Sequence, residues 1–162
     1  AVYQAMDVIQ PWSVGRYGDL DGVDRFKTEA LVPDLAATKA HRQLYMPVIF
    51  PGFSWHNLNR SAARNQIPRL KGEFLWRQAL HARASGARML KIAMFDEVNE
   101  GTAMFKAASR RSDAPEQGYW LTLDADGTPL PSDWYLRLAG QITTAFQKNA
   151  KLAPNAPKPE GG

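Results

Sequence analysis

Met89-Leu90-Lys91-Ile92-Ala93-Met94-Phe95-Asp96-Glu97-Val98-Asn99-Glu100-Gly101-Thr102 is the stretch on which the fold turns. Its first half, Met89 to Phe95, is apolar almost throughout, with Lys91 the exception. A strand with one wet face alternates polar and apolar positions, so a continuous run implies a parallel strand covered on both faces. The second half puts the acids Asp96, Glu97 and Glu100 immediately behind it. Carboxylates gathered at the end of an apolar strand repel one another, and the repulsion pushes one of them toward its protonated form. Gly101 lets the backbone turn sharply, so that Glu97 and Glu100 face one cleft.

Upstream of this strand, two further strand units are predicted. Val2 to Ile9 is a β-branched run closed by Gln10-Pro11-Trp12, and Tyr45 to Phe50 is a second, interrupted by Pro47 and closed by Pro51-Gly52. Between them a helical piece begins near Val23, and Pro33-Asp34 opens another that reaches about Arg42, since Pro suits a first helical turn. A helix from Leu70 to Ser85 follows the second strand, with Gly86 placed for a left-handed cap. Downstream, Tyr119 to Leu123 reads as the fourth strand. Ser132 offers an N-cap for a helix whose apolar residues Tyr135, Leu138, Ala139, Ile142, Ala145 and Phe146 recur at helical spacing.

Strands alternating with helices imply an α/β fold with a parallel sheet. The glycine-rich phosphate loop of nucleotide-binding folds does not occur in the sequence. Polar and aromatic residues instead gather behind each strand, the edge at which barrel enzymes place their chemistry. A complete barrel takes eight strands and typically about 250 residues. The expectation is therefore the C-terminal half of a (β/α)8 TIM-type barrel, about four strand–helix units, over residues 1–149. Residues 150–162, rich in Pro, Lys and Gly, are expected to form a disordered tail.

The formal charge of +4 is spread out and interleaved with acids, which argues against nucleic-acid binding. There are no cysteines, so disulfides and thiolate metal sites are excluded. The histidines are widely separated in sequence, no metal and no cofactor is expected, and no apolar run approaches the ~20 residues of a membrane span. The sequence starts Ala1-Val2-Tyr3 and reads as an internal or processed piece, whose open strand edges are expected to pair with a second copy or with the missing N-terminal half.

Paired carboxylates of unequal proton affinity are what glycosidic cleavage requires: one donates a proton to the leaving oxygen while the other, ionised, acts as base or nucleophile. The E-x-x-E-G-T arrangement from Glu97 to Thr102, with Tyr45 to Asn57 and Leu75-Trp76-Arg77-Gln78, resembles glycoside hydrolase family 99 and its relatives near family 71. The resemblance runs from Val2 to about Phe146. It implies a glycoside hydrolase acting on an α-linked, mannan- or glucan-like glycan. By the same resemblance Glu97 is the base on the substrate's own 2-hydroxyl and Glu100 is the general acid, later activating water. Such enzymes commonly work outside the cytoplasm, which implies a secreted, periplasmic or cell-surface setting. Val98-Asn99 stands where the family commonly has an aromatic or His pair. That departure leaves room for a non-catalytic carbohydrate-binding or scaffold relative of the same barrel.

The competing reading of Glu97 and Glu100 is a solvated acidic loop at a helix start. Asp96 is a candidate for orienting a neighbour. Trp55, His56 and Asn57 follow the second strand and are candidates for sugar stacking and hydroxyl recognition, or for simple packing on the rim. Asp7 and Trp12 hold the equivalent place at the first strand, and Arg16 either reaches a sugar hydroxyl or pairs with Asp19. Trp76 is expected in the core, His41 and His81 on helix surfaces, and Asp124 to Gly127 in an ordinary turn.

Overall fold

A computed structural model describes residues 2–159. The elements used below are β1 (Val8–Ile9), α1 (Leu20–Phe26), α2 (Val32–Ala40), β2 (Leu44–Tyr45), β3 (Val48–Ile49), α3 (Glu73–Ala84), β4 (Lys91–Ile92) and α4 (Trp134–Gln147). β1 pairs with β2 and β3 with β4, both parallel, so the architecture is α/β with short parallel strands.

Pro47 explains why one predicted strand became two. Up to Met46 the segment bonds to β1, through Leu44 N–H to Asp7 C=O at 2.8 Å and Met46 N–H to Ile9 C=O at 2.9 Å. Pro47 has no N–H to continue that ladder. From Pro47 onward the segment bonds the other way, its carbonyl accepting Lys91 N–H at 3.0 Å and that of Ile49 accepting Ala93 N–H at 2.9 Å. The three parallel segments therefore lie in chain order, each staggered against the next. The outward-facing positions of β1 and β2 are open: Val8 and its partner Leu44 are 40% and 42% exposed.

Other expectations need correction. The run Val2 to Ile9 is strand only at Val8–Ile9, and Tyr3–Ala5 forms a 3-10 turn that buries nothing. The two helices expected between the first strands run without a break from Leu20 to Ala40, through a π-helical turn at Lys27–Leu31. That wider turn, in which Val32 N–H reaches Lys27 C=O, makes room for the Pro33 ring inside a helix. Tyr119 to Leu123 is not a strand: its carbonyls and amides go to a side chain and to a loop, as at Tyr119 C=O with Asn57 and Leu123 N–H with Ala108 C=O. Asp133, not Ser132, takes the N-cap position of α4, and its carboxylate pairs with Arg137 at 2.9 Å.

Residues 150–159 are not a free tail. Trp76 Nε1 donates to Ala153 C=O at 2.8 Å and Glu73 Oε2 accepts from Ala156 N–H at 2.9 Å. Leu152 and Ala156 pack on the core beneath, so α3 side chains replace the strand partners that a Pro-rich segment lacks. Ala1 and residues 160–162 of the expected tail lie outside the described residues.

Helix α3 divides the core. Leu75, Trp76 and Ala79 face Ile49, Met104, Leu123 and the α4 residues Trp134, Tyr135, Leu138 and Ile142. Phe74 turns the other way, to Val23, Phe50, Phe53 and Ile67. As expected, Trp76 is core and Gly86 is left-handed, at φ +96°. Gln78, buried between the two clusters, satisfies its whole carboxamide: Nε2 donates to Phe50 C=O and Phe74 C=O, both at 2.8 Å, while Oε1 accepts from Phe50 N–H at 3.1 Å and Tyr17 OH at 3.0 Å. This bolts the chain just after β3 to α3, at the point where the site loop begins.

Candidate active site

Two loops carry the candidate site residues beside the glutamates, residues 54–66 after β3 and residues 95–104 after β4. Val98–Glu100 is one turn of 3-10 helix, with Glu97 at its N-cap. Glu97 keeps a non-helical backbone at φ −73° and ψ +71°, so the two glutamates stand at the entrance and the last position of this single turn. Both are half-buried. The Glu100 carboxyl is held above the usual carboxylate range, first by burial and then by the neighbouring Glu97 charge. Asp96 is exposed, and its carbonyl accepts Val98 N–H at 2.8 Å.

Gly101 closes the turn at φ +65°, and a Cβ there would stand 2.8 Å from Leu121 Cδ2. Conformation and space both select glycine. Thr102 returns to the turn, its N–H donating to Glu97 C=O at 3.2 Å.

Trp55 is 44% exposed and pairs edge-to-face with Phe53 at 4.8 Å. His56 sits edge-on to Tyr119 at 5.1 Å, and its Nδ1 lies 2.9 Å from Ala62 C=O. A carbonyl only accepts, so Nδ1 is the donor in this contact. Asn57 spends both amide hydrogens on main-chain carbonyls, Asn99 at 2.7 Å and Tyr119 at 2.8 Å.

The residues behind β1 are arranged differently. Trp12 and Arg16 line a groove of about 900 Å³ along β1 and α2, with Tyr3, Met6, Gln43 and Tyr45, and neither glutamate lines it. Lys91 Nζ sits 5.8 Å from the Trp12 ring centroid. Arg16 makes no ion pair with Asp19 among the described residues, because Asp19 caps α1 by accepting Gly22 N–H at 2.6 Å. Asp7 is exposed and contributes its carbonyl to β2.

Two residues at the site went unread in the sequence. Tyr119, expected in a strand, packs against His56 and donates its hydroxyl to Arg64 C=O at 2.9 Å. Arg69 is buried beneath the acid loop, donating to Ala103 C=O at 3.0 Å and stacking over Tyr135 at 4.5 Å. No local pattern marks it, since Arg69 lies in an irregular stretch between Pro68 and Leu70. Among the described residues no group of three or more His, Cys, Asp or Glu side chains is arranged to hold a metal, and no helix is long and apolar enough to cross a membrane.

No protein-family profile and no curated protein matches the sequence. Solved structures do. A GH99 endo-alpha-mannosidase from Bacteroides thetaiotaomicron superposes with a TM-score of 0.65 at 23% identity, covering 89% of this chain and 39% of that one. The same kind of enzyme from that organism in complex with bis-tris-propane gives 0.61 at 22% identity, covering 80% of this chain and 37% of that one. The chain thus spans well under half the length of the proteins it matches. What the likeness establishes is a shared fold: over most of its length this chain has the α/β architecture of one part of a GH99 endo-alpha-mannosidase.

Proposed function

We propose that the chain carries the acid pair of a glycoside hydrolase that cleaves an α-linked glycan of mannan or glucan type. Glu97 takes a proton from the substrate's 2-hydroxyl, and that oxygen displaces the leaving group. Glu100 protonates the departing glycosidic oxygen and then removes a proton from the water that attacks C1, while Glu97 returns its proton to the 2-oxygen as the C1–O2 bond breaks. The supporting observation is the placement of Glu97 and Glu100 on one short turn behind β4, both half-buried, with burial first and the Glu97 charge second raising the Glu100 carboxyl in the direction a proton donor requires. The exposed Trp55 ring supplies an apolar plane of the kind on which sugar rings stack.

The test is turnover of a panel of α-mannans and α-glucans by the complete protein and by Glu100→Gln. Loss of general acid catalysis lowers kcat by about 10²–10⁴-fold. Equal, detectable turnover by both proteins removes Glu100 as the acid. Val98-Asn99, in place of an aromatic or His pair, favours a second reading as a carbohydrate-binding or scaffold relative. Glycan binding without turnover by the unmutated protein is the result that reading requires.

A further inference from the structure

The turn that carries the acid pair closes little of its own hydrogen bonding. Val98 C=O accepts Gly101 N–H at 3.3 Å, which leaves the carbonyls of Asn99 and Glu100. Both are taken up by the loop after β3. Ser54 N–H donates to Glu100 C=O at 2.7 Å, and Asn57 Nδ2 donates to Asn99 C=O at 2.7 Å. The second hydrogen of the same nitrogen goes to Tyr119 C=O at 2.8 Å. On the other side of the carboxamide, Oδ1 accepts from Arg60 Nη1 at 3.3 Å, consistent with the amide's orientation. Ser54 contributes a backbone N–H, so Asn57 is the part of this clasp that a substitution removes.

We propose that Asn57 is a positioning residue of the acid pair: its carboxamide, instead of touching sugar, fastens the Glu97–Glu100 turn to the loop 54–66 and to Tyr119, and so sets the separation of the two carboxylates. Three segments remote in sequence, 42 and 62 positions apart from Asn57 to its acceptors, meet at one side chain. Without it the Asn99 carbonyl loses its partner and the middle of the turn moves toward water while Ser54 still holds the Glu100 carbonyl, so the turn distorts and the two carboxylates move apart. The inference rests on the paired-carboxylate reading of the site. The ionisable side chains on the packed elements are Glu97 and Asp96 on the acid loop, His56, Arg60 and Arg64 on the loop after β3, Arg69 beneath the acid loop, and Tyr119.

The experiment is a carbon-13 NMR titration of the glutamate carboxyls in the full chain, comparing the native sequence with Asn57→Ala and with Glu97→Gln. Glu97→Gln gives the downward shift of the Glu100 midpoint that comes from losing its neighbour's charge. Asn57→Ala is expected to move Glu100 in the same direction with Glu97 still present. An unmoved Glu100 midpoint, in a variant whose circular dichroism matches the native chain, overturns the proposal. Asn57→Leu, of similar size without the donors, decides the matter if the alanine variant does not fold. A second readout needs no variant: the Asn57 side-chain amide must exchange with solvent far more slowly than that of exposed Asn59, and equal rates overturn the proposal. Neither measurement involves turnover. A protein that cleaves no glycan still tests Asn57, and one that cleaves glycan with an unmoved Glu100 refutes the role of Asn57 alone.

Discussion

Gln78→Glu isolates the bolt between the chain after β3 and α3. The substitution keeps shape and keeps an acceptor for Phe50 N–H and Tyr17 OH, but it puts an oxygen where Nε2 donates to Phe50 C=O and Phe74 C=O at 2.8 Å. Gln78 is 4% exposed, so an ionised carboxylate facing two carbonyls is untenable and the folded protein must protonate it. Protonating a group with an ordinary pKa near 4.3 costs about 3.7 kcal/mol at pH 7, at about 1.36 kcal/mol per unit. The single O–H then serves one of the two carbonyls, and the loss of the other bond adds about 1 kcal/mol. The sum is about 4–5 kcal/mol at pH 7, a large fraction of the roughly 5–15 kcal/mol that holds a typical domain. The sign with pH follows from a folded pKa raised above the unfolded one: the penalty is small below about pH 4 and grows as pH rises. At pH 4 protonation costs little and about 1–2 kcal/mol remains. Urea unfolding followed by tryptophan fluorescence, with the native chain measured at each pH as reference, reads this difference. Gln78→Met, which cannot titrate, should show a loss independent of pH. A Gln78→Glu loss that is the same at pH 4 and pH 7 refutes the reasoning.

Two other substitutions probe the scaffold. Gly72→Ala places a methyl into Leu138 Cδ1 at a position with φ +101°, so both backbone strain and overpacking apply, and a loss of about 2–4 kcal/mol is expected in the same urea assay. Asp24 accepts from Arg77 at 2.6 and 2.8 Å and meets His81 Nε2 at 2.5 Å, and these partners, Arg77 first, hold its carboxyl well below the usual carboxylate range. A depressed folded pKa contributes stability above the unfolded value near 3.9 and loses it as pH falls further. Because Asp24 is 41% open to water, Asp24→Asn is expected to cost only about 1 kcal/mol at pH 7 and less at pH 2.5, as thermal unfolding at the two pH values will record.

How much of this was legible in the sequence depends on how far apart the cooperating residues are. Helices α3 and α4 were readable because their apolar positions recur every three or four residues, and Gly86 because a left-handed cap is a single-residue property. The two glutamates were readable because they sit in one contiguous stretch directly behind an apolar strand, closed by Gly101. Tyr119 to Leu123 was misread because a β-like composition does not supply a neighbouring strand. The tail was misread because its hydrogen-bond partners lie on α3, 77 and 83 positions away.

Local order along the chain was therefore enough to determine an α/β fold and the pair of glutamates on which its chemistry is proposed to turn. Tertiary structure alone decided which carbonyls Asn57 holds, where Gln78 and Arg69 are buried, and that Trp12 and Arg16 line a groove whose walls do not include the glutamates. The physical reason is range. Periodicity and caps are settled by neighbours within about four residues, whereas a buried polar group is satisfied by whatever folding brings beside it.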